Sequence, residues 1–190
     1  MFRSIIDKLV DSNIISKENS TSILQLAEEY IEDKSISNHR KRKYVLGGSI
    51  LFYYHNKTDE IYRPNMVATK IGNNMSPSKL TFMAYKIADT KNETYQKPTT
   101  KDFAYKYASL LDCREEVNSY IEKLYNDVGE LSGKSESCTG AALVYIASLL
   151  GNDKRTQSEI AQVSGRSQVG IRNLYYEIVE KSQINVELES

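Results

Sequence analysis

The chain has 190 residues, 40% of them hydrophobic and 26% charged, with a formal net charge of zero. That length holds one ordinary domain or two small ones with a real core and no need of disulfide or metal staples, and the balanced charge excludes a strongly basic, non-specific nucleic-acid binder. No apolar run approaches the ~20 residues of a membrane helix, and the start Met1-Phe2-Arg3-Ser4 lacks the shape of a signal peptide, so the protein is expected inside the cell.

Glycine and proline are sparse, nine and three copies, and Val/Ile/Thr alternation is missing, so helices are predicted throughout. Phe2, Ile5, Ile6, Leu9 and Val10 mark a first short amphipathic helix. Ile23, Leu24, Ala27, Tyr30 and Ile31 mark a second, opening near Ser20 or Thr21. The densest basic run follows, His39 with Arg40, Lys41, Arg42 and Lys43. It reads as a solvated helix start or loop, or as a contact to DNA backbone or an acidic partner. Leu46 to Tyr54 is apolar nearly all round, which places it at the centre of a bundle, and Gly47 and Gly48 let neighbours approach. Pro64 suits the first turn of a helix running to Gly72, and Ser76-Pro77 opens another carrying Leu80, Phe82, Met83 and Ile87.

A polar stretch without periodicity, Asp89 to Pro98, separates two sets of helices, with the linker proper placed at 93–98 between a first unit, 1–92, and a second, 99–190. The second set reads Phe103, Tyr107, Leu110 and Leu111; then Val117, Tyr120, Ile121, Leu124 and Val128; then the apolar Thr139 to Leu150; then Thr156 to Ser164; then Ser167 to Lys181. An offset of about 93 residues superposes the two sets: Gly47 on Gly140, Ile50 on Leu143, Phe52 on Tyr145, Ala68 on Ala161, Gly72 on Gly165, Lys79 on Arg172 and Phe82 on Tyr175. The predicted fold is all-α, two five-helix units in tandem, each around a greasy third helix.

The strongest local motif lies in the second unit. Ala161, Gly165 four residues on and Ile171 six further have helix-turn-helix spacing: a small residue at the crossing, a glycine for the left-handed turn, and an apolar plug. Such a unit turns the start of its second helix to the major groove. Here that start is Ser167, Gln168, Val169, Gly170, Arg172 and Asn173. Gln can pair with adenine, Arg with guanine, and Val can touch a thymine methyl. Ser167 is a plausible N-cap, and Gly170 weakens the helix while letting backbone approach a ligand. The same geometry is also simply a way to pack two helices.

Catalysis and cofactors are not expected. There is no Gly-rich phosphate loop, nucleophile elbow or paired-carboxylate motif. His39 and His55 are isolated, and Cys113 and Cys138 form no CxxC pair, so no metal site is read and both cysteines are expected as reduced packing thiols.

The stretches SGKSESCTGAALVYIASLL (132–150), KRTQSEIA (154–161), VGIRNLY (169–175) and VEKSQINV (179–186) resemble the second cyclin-like repeat of the archaeal transcription factor B/TFIIB family: its central helix, its next helix, its recognition helix and its close. The resemblance weakens in the first unit. It implies a transcription initiation factor of the archaeal cell interior, nucleoid-associated and monomeric, that binds promoter double-stranded DNA with a TATA-binding protein. The second repeat would read an element just upstream and the first would lie downstream. By position, Gln168, Val169, Gly170 and Arg172 fall in the base-reading stretch, and Lys154, Arg155 and Arg166 where phosphate contacts belong.

Two departures bear on that expectation. The family's N-terminal zinc ribbon and the segment that engages RNA polymerase have no counterpart here, as in a core fragment or in a short paralogue that modulates transcription without recruiting polymerase. The first unit carries a small surplus of Lys and Arg over Asp and Glu, and the second a small deficit, so free DNA should bind weakly. That deficit also suits a cyclin-like regulator that binds protein.

Overall fold

The structure is a computed structural model, and it describes residues 2–58, 60–72, 74–182 and 184. The expected close of the second repeat therefore falls partly outside the described residues, at Gln183 and 185–186. Among the described residues there are ten helices and no strand. The chain divides into two compact units, Met1–Lys97 and Pro98–Ser190, each holding five helices. No helix among the described residues is long and apolar enough to cross a membrane.

The first unit contains α1 (Phe2–Asp11), α2 (Lys17–Asp33), α3 (His39–Lys57), α4 (Pro64–Ile71) and α5 (Pro77–Thr90). Helix α2 begins a turn earlier than periodicity suggests, because Ser16 caps it by accepting the Asn19 N–H at 3.2 Å. The basic run is the first turn of α3, where Asn38 Oδ1 accepts the Lys41 N–H at 3.0 Å. Caps outweigh the missing apolar stripe at both starts. Further on, α3 is buried continuously from Tyr44 to Phe52, as an all-round apolar helix must be. It packs chiefly on α5. A Cβ on Gly47 would stand 2.5 Å from Leu80 Cδ2, and one on Gly48 2.7 Å from Met83 Cγ, so both glycines are set by that close approach.

Tyrosines account for much of this unit's polar order. Tyr54 and Tyr62 stack with centroids 3.9 Å apart. The Tyr54 hydroxyl accepts the Ser16 N–H, and the Tyr62 hydroxyl donates to the Ile14 carbonyl. His55 is held between the Tyr95 hydroxyl, 2.6 Å from Nδ1, and the Tyr62 backbone at Nε2, which gives this lone histidine a structural occupation.

The second unit contains α6 (Thr100–Leu110), α7 (Glu115–Val128), α8 (Glu136–Leu150), α9 (Gln157–Ser164) and α10 (Gln168–Ser182). Its central helix α8 packs chiefly on α6, at a distance set by Gly140: a Cβ there would lie 2.8 Å from the Thr100 carbonyl oxygen. Val117, Ile121, Leu124, Ile146, Ile160, Ile171 and Ile178 are fully buried. Each such side chain is worth about 1.5–3 kcal/mol over an exposed one, which makes the packing of α9 and α10 onto α8 the main force holding them in place.

The 93-residue offset holds for the third and fourth helices. Val67, Ile71 and Gly72 correspond to Ile160, Ser164 and Gly165, and the four side chains of these positions are buried. It fails for the last helix. Phe82 is 59% exposed and Tyr175 is 3%. The buried residues of α5, Leu80, Ala84 and Ile87, match Ile171, Tyr175 and Ile178, which lie 91 residues on. The cause is the loop: residues 72–76 join α4 to α5, whereas only 165–167 join α9 to α10.

Candidate nucleic-acid interface

The two helices of the motif are built by local chemistry. Thr156 caps α9 in a capping box: its hydroxyl accepts the Glu159 N–H at 3.2 Å, and Glu159 Oε2 accepts the Thr156 N–H at 2.7 Å. Those bonds satisfy two donors that a helix start leaves open. The Thr156 backbone N–H, then its hydroxyl, hold the Glu159 carboxyl below its usual range. Gly165 ends α9 at φ 57° and ψ 36°, the left-handed conformation in which a side chain is strained. Ser167 then starts α10, its Oγ accepting the Gly170 N–H at 3.1 Å.

Helix α10 has two faces. Ile171, Leu174, Tyr175 and Ile178 are buried. Gln168, Val169, Arg172, Asn173 and Tyr176 are exposed. Positions 168, 169, 172, 173 and 176 share one side of a 3.6-residue helix, so the four side chains expected at a base edge stand together, with Tyr176 one turn beyond. Tyr176 escaped the motif reading, although its spacing of four from Arg172 puts it on the same face. Val169 is 59% and Tyr176 56% exposed, so this helix face carries apolar surface that is open to solvent among the described residues.

The other expected residues are placed less uniformly. Gly170 is half-buried, and a Cβ there would point back at Ser167 Oγ, 3.0 Å, and Cys138 Sγ, 3.4 Å. Its missing side chain therefore serves the approach of α10 to α8 instead of facing outward. Lys154 is exposed. Arg155 is tied down: Nη2 donates to both oxygens of Asp153, at 3.0 and 3.2 Å, and to the Asp112 carbonyl at 3.2 Å. The Arg114 N–H, and then Arg155, hold the Asp153 carboxyl below its usual range. Arg155 thus clamps the α6–α7 turn to the loop before α9. Arg166 is half-buried and donates from Nε to Ser137 Oγ at 3.0 Å.

In the first unit Arg40 and Lys41 are exposed, while Arg42 donates from Nε to the Ile36 carbonyl at 2.9 Å and Lys43 is half-buried. The basic run is therefore divided between solvent and the α2–α3 loop. Cys113 and Cys138 are free and half-buried, and burial pushes both thiols up. Among the described residues no group of His, Cys, Asp and Glu could hold a metal ion.

Known proteins similar to this chain point the same way as the motif. The family model described as "Transcription factor TFIIB repeat" matches residues 91–181. A transcription initiation factor IIB of Pyrococcus furiosus is 39% identical over 108 residues, which are 55% of this chain and 35% of that protein. One of Methanoculleus marisnigri is 38% identical over 88 residues, 45% of this chain and 26% of that protein. A shorter sequence of the same name from Haloarcula vallismortis is 41% identical over 88 residues, and 77% of it is covered. The chain spans about a third or less of the Pyrococcus and Methanoculleus proteins it matches.

Proposed function

The chain belongs to the TFIIB family, a family of transcription factors and not of enzymes, and from that membership we propose that it binds promoter double-stranded DNA together with a TATA-binding protein. The observation that supports this reading best is the outward face of α10, where Gln168, Val169, Arg172 and Asn173 stand free of the core while Ile171 and its neighbours anchor the helix. Such a face can enter a major groove and offer hydrogen bonds and a methyl contact to base edges.

Affinity for free DNA is expected to be low. Neutralised phosphates supply most non-specific affinity, and in the second unit Asp and Glu outnumber Lys and Arg, with Arg155 held by Asp153. Lys154, and in the first unit Arg40 and Lys41, are exposed. A partner already seated on the duplex makes the second contact effectively intramolecular. Recruitment of RNA polymerase is no part of the proposal.

A second reading has its own support. Helix α5 exposes Phe82 at 59% and Tyr85 at 46%, side chains better suited to a protein surface than to base edges. A regulator that binds protein through the first unit would use them. Gel-shift titration separates the two readings. On a TATA-containing duplex carrying a TATA-binding protein, this chain should give a slower-migrating complex at low salt. No such complex across varied upstream sequences would defeat promoter binding and leave the protein-binding reading.

A further inference from the structure

Arg166 is the middle residue of the turn between α9 and α10, and its side chain runs inward before it meets solvent. Its Nε–H donates to Ser137 Oγ at 3.0 Å. Ser137 is the second residue of α8 and is 3% exposed. Its Oγ shares a 2.6 Å hydrogen bond with the hydroxyl of Tyr107 on α6, a residue that is also 3% exposed. One hydroxyl thus joins α6, α8 and the turn.

A serine hydroxyl has one proton and two acceptor sites. One acceptor site takes the Arg166 N–H, and the bond to Tyr107 uses the proton or the other site, so both bonds form together. The guanidinium is a rigid plane of five donors. Fixing Nε leaves it little freedom to turn, and a donor group held before binding loses less entropy when it binds. Arg166 stays half-exposed, one residue from the Ser167 cap and two from Gln168, at the edge of the face already described.

We propose that Ser137 and Tyr107 are positioning residues that hold the Arg166 guanidinium for a DNA phosphate at the start of α10. Two hydroxyls sealed inside the second unit then set how tightly it holds a duplex, a role that rests on promoter binding by that unit. The same bonds steady the turn, so the test must separate positioning from stability.

A double-substitution cycle on the full chain does so, reading affinity for a TATA-containing duplex bearing a TATA-binding protein, with thermal unfolding of every variant alongside. Arg166→Ala should weaken the complex about tenfold and Ser137→Ala about fivefold, while the double variant should be no weaker than Arg166→Ala alone. Tyr107→Phe keeps the ring packing and should shift affinity in the same direction by less, which preserves the test if Ser137→Ala folds poorly. Losses that multiply in the double variant overturn the proposal. So do single variants that melt earlier yet bind as tightly as the unsubstituted chain. If the unsubstituted chain forms no complex, promoter binding itself is defeated and the positioning role goes with it.

Discussion

Five residues separate α4 from α5, and three separate α9 from α10. Those two extra residues change what each unit shows to solvent. With the buried residues aligned, Leu80 with Ile171 and Ile87 with Ile178, the outward positions of α10 held by Arg172, Asn173 and Tyr176 correspond in α5 to Thr81, Phe82 and Tyr85. Tyrosine keeps its place in both helices. The hydrogen-bonding pair Arg-Asn is Thr-Phe in the first unit, and Lys86 lies over the Phe82 ring at 5.6 Å. The short turn with a left-handed glycine belongs to the second unit alone, where a capping box also fixes α9. Helix α4 starts at Pro64 with no side-chain cap bond. The same architecture thus carries an outward edge of hydrogen-bonding side chains in one unit, the edge proposed to read a duplex, and an apolar, lysine-flanked surface in the other.

The central helices differ as well, and that difference gives the largest expected effect. Gly140 faces backbone, the Thr100 carbonyl and the Ala104 N–H, whereas Gly47 faces the flexible end of Leu80. Gly140→Ala should destabilise the second unit by about 3 kcal/mol, and Gly47→Ala the first by about 1 kcal/mol, after the gain in helix propensity that alanine brings. Urea unfolding of each variant measures both. Equal losses would mean that α8 can shift away from α6 as easily as Leu80 can turn.

The turn comes next. Gly165→Ala should cost about 1–2 kcal/mol, because a Cβ is strained in the left-handed region, with the loss read as a lower melting temperature. A stability unchanged by this substitution would remove the distinction between the two loops.

A smaller effect is expected at the start of α9. Thr156→Ala removes the cap and should cost about 1 kcal/mol, measured in the same way. The pH dependence has a defined sign. The folded-state value of the Glu159 carboxyl is the lowered one, so its stabilising contribution is complete above the ordinary carboxylate range and is lost as pH falls through the lowered value. In Thr156→Ala the hydroxyl's share of that acid sensitivity should be missing from a melting-temperature series between neutral and acid pH, while the larger share from the backbone N–H, which alanine keeps, should remain.

Much of this was legible in the sequence because periodicity and punctuation are local. The all-round apolar runs at Leu46 to Tyr54 and Thr139 to Leu150 mark the two central helices, Gly165 marks the turn, and Ile171 marks the plug. Helix starts that depend on a cap are less legible: Lys17 lies a turn ahead of the expected start, behind Ser16, and the basic run, open in the sequence between a helix start and a loop, is the first turn of α3 behind Asn38. A polar first turn has no apolar stripe to announce it. The loop-length difference stayed hidden because Gly72 matches Gly165 under the 93-residue offset and carries the eye past the loop, although Leu80 and Ala84 would have exposed the slip by their spacing. Least legible were the ties between distant segments. Nothing adjacent in the chain relates Arg155 to Asp112, or Arg166 to Ser137 and Tyr107; these contacts exist only once α6, α8 and the motif are packed.

One paired affinity measurement on the complex with a TATA-binding protein and duplex DNA tests most directly whether α10 alone faces the duplex. Arg172→Ala in α10 should weaken that complex by more than about 1 kcal/mol, while Thr81→Ala, its counterpart in α5, should leave it within about 0.5 kcal/mol. Equal losses, or a greater loss at Thr81, would contradict a duplex-reading edge confined to the second unit.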